Sequence, residues 1–286
     1  MTTYGVTGAS GQLGRLVLDE LVRMVGPGAI TAFGRDVSKL ADFAESGVTV
    51  RPMDYDDPAT LPAALSGIDR LLLISGSALG QRPRQHGNVI DAARQAGVGY
   101  IAYTSILEAP TTPIRLGAEH AATERALADS GIAHDLLRNG WYNENYMAAL
   151  PAQLDAGVIT GAQGRGRISS AARSDLAAGA AHVLVEGPGG RTYNLAGDES
   201  WTMEDFAAEL SRQSGKFVRY VDMGEEEYAA SLRALGMPEA YSVVVANSAR
   251  STSLGALQND SQTLSGLIGR PTTPIGQTMA RALAAL

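Results

Sequence analysis

The sequence contains no cysteine, and this absence excludes several kinds of chemistry at once. Without thiols the chain forms no disulfide bond, offers no thiolate nucleophile and provides no sulfur ligand for a metal ion. The histidines do not follow the H-E-x-x-H spacing or a comparable metal-binding pattern, so we expect no metal site. Lysine is scarce as well, because only Lys39 and Lys216 occur among the 23 Lys and Arg residues.

Long apolar runs and an excess of positive charge are absent too. No stretch approaches the ~18 consecutive apolar residues of a membrane-spanning helix. The formal net charge is −7, with acidic and basic residues scattered along the chain, which argues against nucleic acid or an anionic membrane as a partner. The first predicted strand begins almost at Met1 and leaves no room for a signal peptide, so we expect a cytoplasmic protein.

A glycine-rich turn lies near the start of the chain, between a predicted strand and a predicted helix. Residues 7–14 read T-G-A-S-G-Q-L-G, with Gly8, Gly11 and Gly14 spaced by three. In such a turn the first glycine permits a tight bend, the second removes a side chain that would block a pyrophosphate, and the third lets helix and strand pack closely. The helix N-terminus offers free N–H groups to the anion. The pattern predicts a dinucleotide cofactor, against the alternative of a non-binding α/β turn.

The end of the second predicted strand bears on which dinucleotide is bound. An acid at this place holds the ribose 2′-hydroxyl of NAD, whereas an arginine accommodates the 2′-phosphate of NADP. Arg35 and Asp36 follow Gly34 in that order. Asp36 also starts a predicted helix, where aspartate is a favoured N-cap. We therefore interpret Asp36 as a cap and Arg35 as the phosphate ligand; a solvated surface charge is the alternative for Arg35.

Strand-like and helix-like segments alternate through the first half of the chain. The predicted strands span residues 3–7, 29–33, 47–52, 70–75, 100–104 and 134–138. The predicted helices span residues 12–24, 37–45, 59–66, 84–96 and 116–130. The fourth strand is almost continuously apolar, as expected of a parallel strand covered on both faces. The alternation predicts an α/β fold with a Rossmann-like, doubly wound parallel sheet.

The alternation stops after Asn139, and the second half is predicted to be a smaller C-terminal substrate lobe. Residues 157–170 are glycine-rich and indicate a hairpin, residues 174–186 a helix and residues 192–195 a strand. Further helices are predicted from Thr202, with a capping-box start, near 225–235 and after Pro274. We expect an NAD(P)-binding domain over residues 1–150 and a substrate-binding lobe packed on it over residues 151–286.

Ligands of open α/β sheets bind at the carboxyl ends of the strands, which directs attention to the residues that follow each predicted strand. The fourth strand ends at Ser75 and Gly76, and the fifth ends at Thr104 and Ser105. An aromatic, hydrogen-bonding slot for a flat ring could be formed by Tyr103, Asn139, Trp141 and Tyr142. Core packing remains the alternative for Tyr103 and Trp141, as does anchoring of the lobe for Tyr142 and Tyr146.

Asp54 and His86 also have alternatives to a role in the site. Asp54 ends the third predicted strand and could approach an adenine, or it could be a turn residue before Asp56. His86 shares a helical stripe with Val89 and Ile90, which favours burial or a subunit interface over catalysis.

Several runs of the sequence resemble the NmrA-like branch of the atypical short-chain dehydrogenases/reductases. These runs cover residues 7–14, 71–75 (L-L-L-I-S), 85–93 (Q-H-G-N-V-I-D-A-A), 101–105 (I-A-Y-T-S), Glu119-His120, Thr123-Glu124, 136–146 (L-L-R-N-G-W-Y-N-E-N-Y) and 267–273 (L-I-G-R-P-T-T). Within the branch, the chain resembles first the bacterial NAD(P)H:quinone oxidoreductases of type 2 and next the triphenylmethane reductases. The resemblance spans nearly the whole chain and implies NADPH binding with hydride transfer to a quinone-like acceptor.

One feature of ordinary short-chain dehydrogenases is missing. Those enzymes carry a Tyr-x-x-x-Lys pair on one helix face, but here no tyrosine has a lysine four residues later. By position the pair falls at Leu116 and His120, one turn apart on a predicted helix. Leu116 cannot donate a proton, whereas His120 could hold the nicotinamide ribose in place of the lysine. The alternative is a histidine on the helix with no role.

The missing pair favours an acceptor that needs no general acid. Reduction of a ketone produces a strongly basic alkoxide, so a general acid helps greatly. Hydride addition to a quinone instead produces a hydroquinone anion that the aromatic ring stabilises and that water can protonate. Such an enzyme depends mainly on proximity and orientation. We expect an NADPH-dependent quinone reductase without flavin or metal; the alternatives are another planar conjugated acceptor, such as a dye or an enone, and a non-catalytic NADP(H)-sensing regulator.

The sequence therefore nominates two overlapping sets of site residues. The candidate catalytic residues are His120, Asn139 and Tyr142. The candidate cofactor-binding residues are Thr7, Gly8, Ser10, Gly11, Gln12, Leu13, Arg35, Asp54, Ser75, Gly76, Tyr103, Ser105, His120 and Asn139. The expected partner is a small quinone-like molecule, and a homodimer is compatible with the sequence.

Overall fold

The structure is a computed structural model that describes all residues from Met1 to Leu286. The strands are β1 (Tyr4–Val6), β2 (Ile30–Gly34), β3 (Thr49–Pro52), β4 (Arg70–Leu73), β5 (Tyr100–Ile106), β6 (Ala133–Asn139), β7 (Val158–Gly161), β8 (Thr192–Leu195) and β9 (Arg219–Asp222). Each strand predicted in the first half is present within a few residues of its predicted bounds.

The helices alternate with these strands and then dominate the second half of the chain. They are α1 (Gln12–Val25), α2 (Ala41–Glu45), α3 (Leu61–Ala64), α4 (Arg82–Ala96), α5 (Gly117–Ser130), α6 (Leu150–Ala156), α7 (Arg173–Glu186), α8 (Met203–Ser214), α9 (Glu225–Ala234), α10 (Glu239–Thr252), α11 (Thr263–Ile268) and α12 (Ile275–Ala284). Short 3-10 turns lie at Pro27–Ala29, Val37–Leu40 and Asn143–Tyr146.

Seven strands form one sheet in the order β3-β2-β1-β4-β5-β6-β8. The pairings among β1 to β6 are all parallel. Tyr4 of β1 pairs with Ile30 of β2 on one side and with Arg70 of β4 on the other. The chain therefore winds outward in both directions from β1, which confirms the predicted Rossmann-like sheet. The strand order reverses between β1 and β4, the point at which such sheets bind their ligands.

The apolar run of β4 lies in a buried core, as predicted for a strand covered on both faces. Leu71 and Leu73 are completely buried, and they share one cluster with Val89 and Ile90 of α4. His86 lies on the same stripe of α4 and is completely buried too. Burial was one of the two predicted alternatives for this histidine, and the helix stripe is the reason for it.

The predicted hairpin over residues 157–170 is wrong. Only β7 forms in this stretch, and it pairs in parallel with β9 in a separate two-stranded sheet, with Val158 opposite Arg219. Glycine marks where a chain can turn, but it does not specify the strand partner. Here that partner comes from residues about 60 positions further along the chain.

The chain divides into two compact units that interleave along the sequence. The first unit comprises residues 1–109, 118–139 and 173–193, and the second comprises residues 110–117, 140–172 and 194–286. This division differs from the single boundary expected at residue 150. Helix α7 belongs to the first unit because it packs against α1. Arg70 of β4 also donates to the carbonyl of Leu184 at 3.2 Å and to that of Val185, near the end of α7.

The second unit has its own aromatic and polar core. Tyr146 packs edge-on against Trp201, with ring centroids 4.8 Å apart, and Phe206 lies 5.5 Å from Trp201. This supports the anchoring alternative for Tyr146. Helix α8 begins with the predicted capping box, in which Thr202 and Asp205 bond each other's backbone N–H groups. None of the helices in the chain is long and apolar enough to cross a membrane.

Candidate functional site

The turn between β1 and α1 has the geometry that its glycines predict. Gly8 has φ +59°, a conformation that favours glycine. A Cβ on Gly14 would lie 2.4 Å from the Gly8 carbonyl oxygen, so only glycine lets α1 pack this closely. A Cβ on Gly11 would meet only that same oxygen, at 3.2 Å, and Gly11 is otherwise exposed. Gln12 and Leu13 begin the helix, where backbone N–H groups have no intrahelical partner and attract an anion.

Thr7 connects this turn to the end of β4 through hydrogen bonds of its side chain. It is completely buried, and its hydroxyl donates to the Leu72 carbonyl at 3.2 Å while accepting the Ile74 N–H at 3.0 Å. These two bonds join the end of β1 to the end of β4. We therefore interpret Thr7 as a residue that positions the turn, because its hydroxyl is already used within the protein.

The end of β2 separates the roles of two neighbouring charged residues. Asp36 accepts the Ser38 N–H at 3.1 Å and caps the short 3-10 turn after β2, which confirms its interpretation as an N-cap. The Arg35 side chain is exposed and makes no hydrogen bond or ion pair. Ser10 lies beside the same strand end, since a Cβ on Gly34 would be 3.4 Å from the Ser10 hydroxyl. The predicted binding of a phosphate by Arg35 and Ser10 stays a prediction.

Asp54 follows β3 and forms a local turn. Its side chain accepts the backbone N–H of Asp56 at 3.0 Å. This bond supports the turn-residue alternative. The predicted approach of Asp54 to an adenine stays a prediction.

The end of β4 is held by side chains rather than by a neighbouring strand. The Ser75 N–H donates to the Thr104 hydroxyl at 2.8 Å. The Gly76 N–H donates to His86 Nε2 at 2.9 Å, and the Gly76 carbonyl accepts from Arg82 Nε at 2.6 Å. Sequence reasoning assigned no site role to His86 or Arg82. The only available signal was their position at the start of α4, directly after the loop.

Tyr103 in the middle of β5 and His120 of α5 form a buried pair. The Tyr103 hydroxyl lies 2.8 Å from His120 Nδ1, and the two residues are 0% and 3% exposed. Burial, with Arg82 and His86 nearby, lowers the pKa of His120 to about 3, so the ring is neutral at pH 7. Burial also raises the pKa of the Tyr103 phenol. With the phenol as donor, the ring proton lies on Nε2, which has no protein partner and can donate to a ligand.

Tyr103 and Ser105 do not present free polar groups at the site. Tyr103 belongs to the core cluster of the sheet, the alternative that the sequence left open. The Ser105 hydroxyl donates to Glu124 Oε1 at 2.6 Å, and Ser105 is buried. Glu124 in turn accepts two bonds from Arg138, at 3.0 and 2.7 Å. This buried ion pair joins β5, α5 and β6, and sequence reasoning did not identify it.

Asn139, the last residue of β6, has a side-chain amide oxygen that accepts no hydrogen bond. The residue is 5% exposed, and its side-chain oxygen is buried without a hydrogen-bond partner. Leaving such a group unpaired costs about 1–3 kcal/mol. A ligand that donates to this oxygen would remove the cost, so Asn139 is the strongest sign of an occupant at the carboxyl ends of the strands.

Tyr142 and Trp141 belong to the second unit. Both are half-buried, and their segment runs beside Ala171, whose N–H donates to the Trp141 carbonyl at 3.0 Å. The adjacent Asn143 is completely buried and donates to the Thr278 hydroxyl of α12 at 3.0 Å. The acceptor-binding role of Tyr142 stays a prediction.

These residues of the first unit fit a dinucleotide. The exposed Gly11, the N-terminus of α1 and the unpaired Arg35 would hold the phosphates, while the Asn139 amide and His120 Nε2 would face the other half. No group of three or more His, Asp or Glu side chains in the chain could hold a metal ion.

Comparisons with known proteins agree with this geometry. A family model described as NAD(P)H-binding matches residues 8–186. The chain is 50% identical over 276 residues to Quinone oxidoreductase 2 of Escherichia coli (strain K12), and the match covers 96% of each protein.

Two solved structures extend the likeness to the whole fold. The Escherichia coli NADPH-dependent quinone oxidoreductase complexed with NADPH has a TM-score of 0.96 and 49% identity, covering 98% of this chain and 100% of that one. Triphenylmethane reductase of Citrobacter sp. has a TM-score of 0.93 and 37% identity, covering 99% of each chain. The resemblance inferred from the sequence is thereby confirmed.

Proposed function

The chain belongs to the NAD(P)H-binding family, and we propose that it is an NADPH-dependent reductase that passes hydride directly to a quinone or a similar planar conjugated acceptor. The overall reaction converts NADPH, a quinone and one proton into NADP⁺ and a hydroquinone. The two electrons travel with the hydride, and water supplies the proton. No flavin or metal takes part in this proposal. The half-identical Escherichia coli relative that carries the name quinone oxidoreductase supports it.

The observation that carries the proposal is the buried His120, 2.8 Å from the Tyr103 hydroxyl, at the position where ordinary short-chain dehydrogenases have their lysine. With a pKa of about 3, His120 is not an imidazolium at pH 7, and the proton that the neutral ring keeps on Nε2 serves as a hydrogen-bond donor. Tyr103 keeps its phenol proton, since burial raises its pKa, and its hydroxyl is occupied by His120. Such a site orients a ligand by hydrogen bonds. It suits an acceptor whose reduced form is stable as an anion until water protonates it.

Each residue of the site has a defined task in this proposal. When bound, NADPH supplies the hydride. The β1–α1 turn and Arg35 hold its phosphates, Arg35 favouring NADPH over NADH through the 2′-phosphate. The Asn139 amide and His120 Nε2 orient the reacting end, and Tyr142 contacts the acceptor. Catalysis then comes mainly from proximity, which is worth several kcal/mol when the geometry is right.

The test compares acceptors and one variant. The protein should oxidise NADPH with 1,4-benzoquinone, yield one hydroquinone per NADPH without added flavin, and leave benzaldehyde unreduced. His120→Ala should raise the KM for NADPH and lower kcat modestly, whereas the exposed His182→Ala should change neither. Tyr142→Phe should alter the KM for the quinone alone.

Three results would contradict the proposal in different ways. A kcat loss of about 10²–10⁴-fold in His120→Ala with NADPH binding intact would make His120 the proton donor. Aldehyde turnover comparable to quinone turnover would refute the acceptor class. Tight NADPH binding without turnover of any conjugated acceptor would replace the enzyme with a sensing regulator, the alternative that the missing Tyr-x-x-x-Lys pair favours.

We further propose that the chain acts in the cytoplasm, where NADPH is available, and that it assembles as a homodimer. Light scattering of the purified protein measures the assembly state directly, and a monomer at micromolar concentration would contradict the dimer.

A further inference from the structure

The loop that leaves β4 is held by both polar groups of a single residue. Gly76 donates its N–H to His86 Nε2 at 2.9 Å and accepts Arg82 Nε at its carbonyl at 2.6 Å. Both partners lie in the first turns of α4, and both are buried. A Cβ on Gly76 would lie 3.2 Å from Gln85 Oε1, so the loop also lies close to the helix. The position of this glycine is therefore set by α4.

The protonation of His86 follows from the donor that it meets. A backbone N–H can only donate, so Nε2 must be the unprotonated acceptor, and the proton of the neutral ring lies on Nδ1. Nδ1 lies 2.9 Å from the Thr123 hydroxyl, which donates to the Glu119 carbonyl at 3.1 Å. The chain of donors thus runs in one direction from Gly76 to α5. Burial, with Arg82 nearby, lowers the pKa of His86 to about 4 and keeps the ring neutral.

A second connection reaches the same loop. Arg82 forms an ion pair with Glu119 at 3.3 Å, and the other Glu119 oxygen accepts the Gly80 N–H at 3.2 Å. The loop is therefore joined to both α4 and α5. Because α5 also carries His120, the end of β4 and the neutral histidine of the site are held by one helix.

We propose that His86 is a positioning residue that fixes Gly76 so that the backbone at the end of β4 receives the nicotinamide half of the dinucleotide. The sheet order supports this assignment. By the general rule for such sheets, the pyrophosphate would bind at the β1–α1 turn and the adenosine half would extend toward β2, where Arg35 is. The other half must then extend across the reversal point toward β4 and β5. The proposal rests on dinucleotide binding and is independent of which acceptor is reduced.

The experiment separates the two halves of the cofactor. Binding of NADPH and of adenosine 2′,5′-bisphosphate, which lacks the nicotinamide half, is measured by calorimetry. His86→Leu should weaken NADPH about fivefold or more, the effect of losing one buried hydrogen bond. It should leave the bisphosphate within about twofold. His86→Gln, whose carbonyl oxygen can accept the Gly76 N–H, should recover most of the loss.

Thr123→Val tests the same chain without touching Gly76. The substitution leaves His86 Nδ1–H without an acceptor and so favours the other tautomer, which cannot accept the Gly76 N–H. The binding of NADPH should therefore weaken again, while the binding of the bisphosphate should not. Thr123→Ser should restore it. The matched control is Tyr100→Phe, which removes the buried bond to Asp135 (2.8 Å) at the opposite end of β5 and should leave both ligands unchanged.

The outcomes decide whether His86 positions Gly76 for the nicotinamide half or only stabilises the fold. Equal weakening of both ligands in His86→Leu and Thr123→Val, or no weakening of either, would overturn the proposal. If His86→Leu does not fold, the result for Thr123→Val alone decides between these two roles. A selective loss of NADPH affinity would support the role of His86 even if the protein reduced no quinone. The experiment therefore tests the role of His86 independently of the proposed reductase function.

Discussion

Arg35 and Asp36 are neighbours at the end of β2 with different tasks. The Asp36 carboxylate is used locally, because it accepts the Ser38 N–H and hydroxyl at 3.1 and 2.6 Å. These bonds lower its pKa. The Arg35 guanidinium has no such partner and points its charge into solvent. An exposed cation beside the end of β2 is what a ribose 2′-phosphate requires, whereas a carboxylate committed to a cap cannot hold a ribose hydroxyl as well.

Replacement of Arg35 therefore changes cofactor choice. Arg35→Ala should weaken NADPH by about 10- to 100-fold, since a hydrogen bond to a charged group contributes about 1.5–3 kcal/mol. NADH should be affected little, because it has no 2′-phosphate. Dissociation constants for both cofactors measure the effect, with Arg23→Ala as a control for loss of one exposed charge on α1. Equal weakening of NADPH and NADH would assign the selectivity elsewhere.

Local rules of sequence predict some residues of the site and not others. The role of Asp36 follows from capping, that of Gly8 from its φ preference and that of Gly14 from a close approach within the same turn, all of which involve only near neighbours. The partners of Thr7 and Ser105 do not, because each hydroxyl bonds a group that tertiary folding brings from another element. The buried chain from Gly76 through His86 to Thr123 has the same origin. No periodicity in the sequence marks these pairs.

At the scale of elements, the β1–α1 turn assigns a separate task to each glycine. Gly14 packs where a side chain would collide with the Gly8 carbonyl at 2.4 Å, so it serves the fold. Gly11 is exposed and a side chain there would meet only that oxygen, so the prediction for Gly11 is a role in ligand binding. Two substitutions in one turn can therefore separate folding from binding.

Gly11→Val should weaken NADPH by at least about tenfold, or roughly 1.4 kcal/mol, while the protein remains folded. Gly14→Ala, unlike Gly11→Val, should lower the midpoint of thermal unfolding, because the backbone must move to admit the methyl group. Calorimetric binding and a melting curve distinguish the two variants. Unchanged NADPH affinity in folded Gly11→Val would remove the pyrophosphate from this turn.

The Glu124–Arg138 pair ties three elements together and is buried, with side chains 7% and 16% exposed. Glu124→Leu should lower the free energy of unfolding by about 1.5–3 kcal/mol, since the partly buried Arg138 would lose two charge-assisted hydrogen bonds. The double variant Glu124→Leu/Arg138→Met should recover most of this loss. The exposed pair of Glu186 and Arg191, with side chains 55% and 57% exposed, is the control, and Glu186→Leu should cost about 0–1 kcal/mol. Urea unfolding measures all three, and equal costs for the two single variants would contradict burial of the pair.

Elements whose partners are adjacent in the chain are predicted well from sequence, and elements with distant partners are not. Strands β1 to β6 alternate with helices, so βαβ rules determine their pairing and direction. The stretch around β7 has turn residues but no such rule. Its parallel partner β9 follows α7, β8 and α8 in the chain, so the prediction of a hairpin from neighbouring residues was wrong.

At the scale of the whole molecule, the chain leaves its first unit and returns to it. The sequence predicted one boundary at residue 150, where the regular alternation has already ended. Helix α7 nevertheless rejoins the first unit, because its buried face packs on α1. Composition and periodicity describe a helix and its apolar face, but they do not identify which surface that face covers. The fold class could therefore be predicted in full, and the interleaving of the units could not.

The two buried histidines of the first unit make the stability of the fold depend on pH. Burial is the main cause that lowers the pKa of His86 to about 4 and of His120 to about 3. In the unfolded chain both return to about 6.5, so the unfolded state binds more protons below that pH. Folding is therefore favoured by the neutral rings above pH 6.5, and this contribution is lost as the pH falls from 6.5 toward 4. Carboxylates with lowered pKa, such as Glu209, lose their contribution only below about pH 4.5.

The free energy of unfolding should consequently fall by about 2 kcal/mol between pH 6 and pH 5, because each buried histidine contributes up to about 1.4 kcal/mol per pH unit. Urea titrations at closely spaced pH values measure this slope. His120→Gln should reduce the slope by about half whatever it does to the stability itself, since one of two proton-binding groups is gone. The exposed His182→Gln is the matched control and should leave the slope as it is. A slope in this window that His120→Gln and His86→Gln both leave unchanged would show that folding does not lower the pKa of either ring, and it would contradict the burial of these two side chains as neutral groups.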